Sequence, residues 1–146
     1  MESKVFGTRL PCEYVERTGA YIIPIKDEKA AVVRTEKGLF LIGGGIDDGE
    51  SDRQCIVREC MEETGCHAIP GELLCAAESY IEHSQTGHFH PIQRYYSGSI
   101  TEPQTAADTE HELVWVSAET ASENMYLEMQ GWAIGQALKR AREKHS

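Results

Sequence analysis

The stretch that most constrains this chain is one where backbone signals follow one another at fixed intervals: Gly43, Gly44 and Gly45, then Ser51, Gln54 and Gly65. Ser51 and Gln54 have the spacing of a capping box, and Asp52 stands in the first turn, where the helix dipole favours an anion. Gly65 offers the left-handed residue that commonly ends a helix. The spacing therefore predicts a strand, Leu39 to Ile42, entering the glycine run, then a loop and a helix that stops at Thr64. With a helical advance of about 100° per residue, Glu59, Glu62 and Glu63 fall within an arc of roughly 100°, and Ile56, Val57, Cys60 and Met61 take the other side. Like charges at these spacings repel by a few tenths of a kcal/mol per pair in water, and by more when partly buried. A hard divalent cation held between them turns that cost into binding, whereas a plain solvated acidic face carries it uncompensated.

Around this segment the pattern alternates strands and helices without a regular βαβ rhythm, so helices packed on a mixed sheet are expected. TGAYIIPI (Thr18 to Ile25) and AAVVRT (Ala30 to Thr35), separated by polar KDEK, are predicted as a hairpin. LLCAAESYIE (Leu73 to Glu82) and FHPIQRYYSGSI (Phe89 to Ile100) follow as two long strands joined by HSQTGH, and Pro91 points to an edge position or a bulge. ELVWVS (Glu112 to Ser117) reads as one more strand. From Glu128 to Lys144, residues Trp132, Ala133, Gln136, Ala137 and Arg140 recur at helical spacing. No repeat or linker divides the 146 residues, so one domain, 1–146, is expected.

Charge narrows the partners. Against 24 acidic residues stand 14 Lys and Arg, a formal charge of −10. That disfavours a nucleic-acid polymer, which needs a basic face, but not a small phosphorylated molecule met through bound cations. No apolar stretch reaches membrane-span length, and the start MESKVFGTRL lacks the apolar segment of a secretory signal, so a cytoplasmic location is expected. Cys12, Cys55, Cys60, Cys66 and Cys75 show no CxxC spacing and read as small hydrophobic side chains in a reducing compartment, not as disulfides or a zinc site.

The segment from Gly44 to Cys66 resembles the Nudix box, G-x5-E-x7-R-E-U-x-E-E-x-G-U with U aliphatic. Its fixed positions fall on Gly44, Glu50, Arg58, Glu59, Glu62, Glu63 and Gly65. Cys60 and Cys66 replace the aliphatic residues, and Ile42 stands where a proline commonly precedes the double glycine. The resemblance implies the Nudix fold, an α/β/α sandwich (α/β, or α+β) around a mixed central sheet. It also implies MutT-like hydrolysis of a diphosphate linkage with Mg²⁺ or Mn²⁺. Glu59, Glu62 and Glu63 would then ligate the metal, with the Gly44 carbonyl as a further ligand, while Arg58 and Glu50 would pair to brace the loop and orient Glu59. The proton of the attacking water would pass to Glu62 or Glu63, or to Asp108 or Glu110 in the loop before the late strand.

The partner so implied is a small-molecule nucleotide: a nucleoside triphosphate, oxidised ones included, a dinucleoside polyphosphate or a nucleotide sugar. ADP-ribose is disfavoured, because SYIEHS (Ser79 to Ser84) lacks the proline that members cutting it carry beyond the box. Neither a nucleic-acid polymer nor a membrane is expected, and a homodimer is left open. The rival reading is a regulatory Nudix domain that binds nucleotide without catalysis, which retention of Arg58, Glu59, Glu62 and Glu63 argues against. Tyr80, Tyr95 and Tyr96 are candidates for stacking on a base, with a core role as the plainer alternative. His88 and His90, alternating along a strand, are a candidate metal pair beside the plainer reading of edge-strand histidines.

Overall fold

Three crossings of the backbone between sheets organise the fold seen in the computed structural model, which describes residues 1–83 and 87–144. Strand β1 (Glu2–Phe6) precedes β2 (Val15–Ile22); β3 (Ile25–Lys26), β4 (Lys29–Thr35), β5 (Gly38–Phe40) and β6 (Ile42–Gly45) follow, and helix α1 (Asp52–Thr64) comes next. Strands β7 (Ala68–Ser79), β8 (Ile81–His83), β9 (Gly87–Ile100) and β10 (Glu112–Ser117) lead to helices α2 (Ala118–Asn124) and α3 (Glu128–Lys144). One mixed sheet has the order β1-β7-β9-β2-β6, with β8 also on β9, and the second has the order β10-β4-β3, with β5 on β4, so the chain crosses between them after β2, β5 and β9. Apolar residues fill both sides of these sheets. Val32 and Tyr95 of the sheets pack with Met129 and Ile134 of α3 on one side, and Ile22 and Ile42 pack with Ile56 and Cys60 of α1 on the other. The result is the α/β architecture with a mixed sheet between helices that the sequence implies.

The predicted hairpin needs correction. Thr18 to Ile25 does not form one strand paired with Ala30 to Thr35. Instead β2 runs parallel to β9 and antiparallel to β6, and only β3 pairs with β4. Pro24, which has no N–H to offer a ladder, marks the crossing: the Ile23 N–H goes to the Tyr96 carbonyl, and the Pro24 carbonyl accepts from Ala31. Asp27 and Glu28 both take positive φ, 52° and 61°, as the tight turn of a two-residue hairpin requires. Glu28 is held there by Arg142, at 2.8 and 2.9 Å. The second crossing splits the predicted strand Leu39 to Ile42 at Leu41, whose N–H lies outside both ladders and donates to the buried Gln130 side chain at 2.8 Å.

Pro91 is likewise not on an edge, because β9 lies between β7 and β2. The β7 register on β9 ends at Glu78 and Ile92, and β8 resumes it at Ile81 and Phe89, so Pro91 falls where the ladder is already interrupted at Tyr80. There the Tyr80 N–H donates to Phe6 of β1 instead. The predicted HSQTGH loop lies partly on residues 84–86, outside the described residues.

Helix α1 follows its sequence signals closely. The Ser51 and Gln54 side chains each bond the other's backbone N–H, and Gly65 closes the helix at φ 75°. Asp52 ties the first turn to the sheet, accepting from Arg94 at 2.6 Å twice and from the Tyr96 hydroxyl at 2.6 Å. All five cysteines are free thiols, buried except for Cys12. No helix among the described residues is long and apolar enough to cross a membrane.

Candidate active site

The glycine run lets a helix carboxylate lie directly on a strand. In β6, Gly44 pairs with Ala20 of β2, and a side chain at Gly44 would bring its Cβ to 2.6 Å from the Glu59 carboxyl carbon. No residue with a Cβ fits there unless Glu59 moves. The Gly44 carbonyl takes a thiol hydrogen bond from Cys55 at 3.2 Å.

Arg58 is the hub of the charged groups. Its Nε and Nη2 bond both oxygens of Glu50 at 2.7 and 2.9 Å, its Nη1 bonds Glu59 at 2.7 Å, and Nη2 also donates to the Gly45 carbonyl at 3.2 Å. Such two-pronged pairing fixes the guanidinium plane, and with it the approach of the loop to the helix. Hydrogen bonding from Arg58, then from the Asp47 N–H, holds the Glu50 carboxyl down at about 2. The predicted pair of Arg58 and Glu50 is thus formed, and Glu59 is oriented through it.

The three helix glutamates occupy different environments. Glu63 is buried and accepts from the Gly43 N–H at 3.1 Å. Burial, and then the nearby Glu59, Asp108 and Glu62, push its carboxyl up to about 9. Glu59 is also raised, mainly by burial. Glu62 is exposed, its side chain 57% accessible, and lies 3.5 Å from Arg58. In the rotamers seen, no three His, Cys, Asp or Glu side chains among the described residues surround a common ion position, because Glu59 turns to Arg58 and Glu63 to Gly43. The donor set nevertheless suits a hard cation. It offers carboxylate and carbonyl oxygens only, and the cost of holding Glu59 and Glu63 ionised in a buried place is one that a cation would offset.

Glu63 and Gly43 also line a cleft of about 850 Å³, together with Tyr21, Phe89, Gln93 and Gln130. The loop before β10 forms another part of the wall. Its Asp108 accepts from the N–H groups of Glu110 and His111 and from His111 Nδ1 at 2.8 Å, which leaves His111 Nε2 3.8 Å from Glu63. Hydrogen bonding from His111 lowers the Asp108 carboxyl. Glu110 lines the cleft, as does His111. His111 was not among the residues expected from the sequence; an Asp followed at three residues by His, in a turn just before a strand, is the signal that points to it.

Other candidates lie elsewhere. Tyr95 is fully buried, so the stacking role expected for it is corrected: its ring has no free face, and its hydroxyl bonds Gln93 at 2.8 Å. Tyr96 packs beneath α1 on Asp52. Tyr80 stacks on His90 with ring centroids 4.4 Å apart, in a cluster with Tyr14 and His88, and is not among the residues lining the cleft. His88 and His90 do share a side, but His90 Nε2 is hydrogen-bonded with Glu78 at 3.0 Å, while its buried Nδ1, 3.3 Å from a Glu16 carboxylate oxygen, has no hydrogen-bond partner among the described residues.

Comparison with known proteins finds relatives in sequence and in fold. A curated Bacillus subtilis (strain 168) protein described as "Putative 8-oxo-dGTP diphosphatase" is 36% identical over 104 residues, 68% of this chain. The chain spans 65% of that relative's length. Two solved structures share the fold: the MutT protein from Methanosarcina mazei Go1 has a TM-score of 0.68 at 20% identity, covering 90% of this chain and 98% of that one. A NUDIX hydrolase from Nitrosomonas europaea has a TM-score of 0.67 at 19% identity, covering 84% and 88%. The model of the NUDIX domain matches residues 15–134, most of the sequence and the whole of the glycine run and helix described above, and by that match the chain belongs to the Nudix hydrolase family.

Proposed function

We propose that the protein hydrolyses a diphosphate linkage in a nucleotide, with nucleoside triphosphates, oxidised ones included, and dinucleoside polyphosphates as the substrate class. The observation that carries the proposal is the buried Glu63 on the cleft wall, one helical turn from a Glu59 clamped by Arg58 and Glu50. A diphosphate repels water and hydroxide, so the site must neutralise its oxygens and take up a proton. Bound Mg²⁺ or Mn²⁺, held by Glu59, Glu62, Glu63 and the Gly44 carbonyl, would supply that neutralisation and make water more acidic. Arg58 and Glu50 keep the Gly44 strand and Glu59 at a fixed separation. In the reaction, the oxygen of water bonds to phosphorus as the bond to the bridging oxygen breaks, and a carboxylate receives the water's proton. Of the loop carboxylates, Asp108 is engaged by His111, which favours Glu110 as the proton acceptor on that side. The description of the B. subtilis relative supports triphosphates as the first substrates to try. A screen of nucleotides with Mg²⁺ or Mn²⁺, read as release of phosphate or diphosphate, tests the proposal. Turnover of at least one compound, abolished by excess EDTA, is expected; turnover undiminished by EDTA would overturn it.

A further inference from the structure

The cleft floor is built from a hydrogen-bond chain whose direction is set at one end by the backbone. Leu41, at the crossing between sheets, has an N–H that can only donate, and Gln130 Oε1 accepts it at 2.8 Å. That fixes the Gln130 amide, so its Nε2 faces Gln93 Oε1 at 3.1 Å. The same Gln93 oxygen accepts the Tyr95 hydroxyl at 2.8 Å, which occupies both of its lone pairs and turns Gln93 Nε2 toward the Tyr21 hydroxyl oxygen at 3.4 Å. Tyr21 Oη then receives a hydrogen bond, and among the described residues no carbonyl or carboxylate takes its own hydrogen. Each step is forced by the one before, because an amide with its oxygen committed has only N–H groups left to offer.

Tyr21, Gln93 and Gln130 all line the cleft. What the chain leaves unspent there are donors: the Tyr21 O–H and the second Nε2 hydrogen of Gln93. The apolar surfaces of Phe40, Phe89 and Leu127 line the same cleft and give a planar ring contact area. We propose that this donor-presenting floor selects nucleotides whose base carries a carbonyl at the purine C6 or pyrimidine C4 position over those carrying an amine there. The inference rests on the reading of the cleft as a nucleotide site and adds to it the base chemistry. A carbonyl oxygen satisfies both donors, while an amine set against them leaves buried polar hydrogens unpaired, the situation that makes hydrogen-bonding sites selective.

The test compares inosine with adenosine triphosphate and uridine with cytidine triphosphate, each pair exchanging a carbonyl for an amine at one ring position. Affinity is measured by calorimetry in EDTA and turnover in Mg²⁺, for the wild type and for Tyr21→Phe, which removes one donor and keeps the ring. The wild type is expected to favour the carbonyl member of each pair by about tenfold or more, the scale of discrimination that directed donors give against the wrong base. Tyr21→Phe is expected to shrink both ratios to under about threefold by weakening the carbonyl members alone. Equal affinities within the wild-type pairs would overturn the inference, and so would a loss in Tyr21→Phe spread evenly over all four nucleotides, since donors serving a phosphate give that result. Selection in binding without turnover supports the inference and sinks the proposed hydrolysis. Turnover without selection does the reverse, and absence of both binding and turnover overturns both.

Discussion

Replacing Glu63 with Gln should stabilise the metal-free protein, and only at high pH. Glu63 is 8% exposed, and its carboxyl rises from the ordinary 4.5 to about 9. Between those values the unfolded chain has lost the proton that the native state still holds. The unfolded state then binds fewer protons, so stability falls as pH rises from about 4.5 toward 9. At about 1.4 kcal/mol per pH unit, the span caps the loss on the order of 6 kcal/mol, and a loss of a few kcal/mol at pH 8 is expected. Gln keeps an oxygen for the Gly43 N–H and carries no charge at any pH, so the variant escapes this loss. In a chain of this length each kcal/mol moves the melting temperature by roughly 2–4 °C, which predicts a gain of about 5–15 °C for Glu63→Gln at pH 8 in EDTA and almost none at pH 5. With Mn²⁺ in excess the order should invert, because a ligand that binds only the native state stabilises it according to its affinity and Gln is the poorer ligand. Melting curves at the two pH values, with EDTA or Mn²⁺, suffice. A gap between wild type and variant that is equal at pH 5 and pH 8 would refute the reasoning.

Three further outcomes follow from the geometry. Arg58→Ala and Glu50→Gln should both lower turnover while leaving the protein folded by circular dichroism, since each removes one side of the same clamp; an unaffected Glu50→Gln beside a crippled Arg58→Ala would show that Arg58 acts alone. Gly44→Ala should weaken Mn²⁺ binding measured by calorimetry, because the added Cβ displaces the Glu59 carboxyl from its place 2.6 Å away, and affinity equal to the wild type would contradict that steric argument. Asp52→Ala leaves Arg94 and the Tyr96 hydroxyl without their acceptor and should cost about 2–4 kcal/mol in urea unfolding, against less than about 0.5 kcal/mol for a neutral surface change.

How much of this was legible in the sequence depends on the range of the interaction. The cap at Ser51 and the stop at Gly65 act within α1 and were revealed by spacing alone, while the ion pair of Arg58 with Glu50, one loop away, was implied by the resemblance to the Nudix box. β2 and β4 were misjoined because Thr18 to Ile25 is rich in β-branched and aromatic residues on both sides of the crossing. What sends β2 to another sheet is pairing with β9, more than seventy residues on, and only Pro24 hints at the crossing. Tyr95 stayed open between stacking on a base and the core role it has, because a strand's alternation does not say which face meets α3; Gln93 two residues earlier shares that face and marks it as the polar edge of the core. Gln130 was hidden more deeply. Its partner, the Leu41 N–H, is orphaned only because two sheets meet there, 89 residues away along the chain.

The central claim is that the carboxylates of α1 perform a metal-dependent cleavage of a nucleotide's diphosphate linkage. Its most direct measurement follows turnover of a responsive nucleoside triphosphate by ³¹P NMR across a Mg²⁺ titration, for the wild type and for Glu63→Gln. The account predicts saturable conversion to nucleoside monophosphate and diphosphate in the wild type, and a rate lower by about a hundredfold or more in the variant, the loss expected when a metal site's charge is removed. A variant that turns over at the wild-type rate at every Mg²⁺ concentration would contradict it.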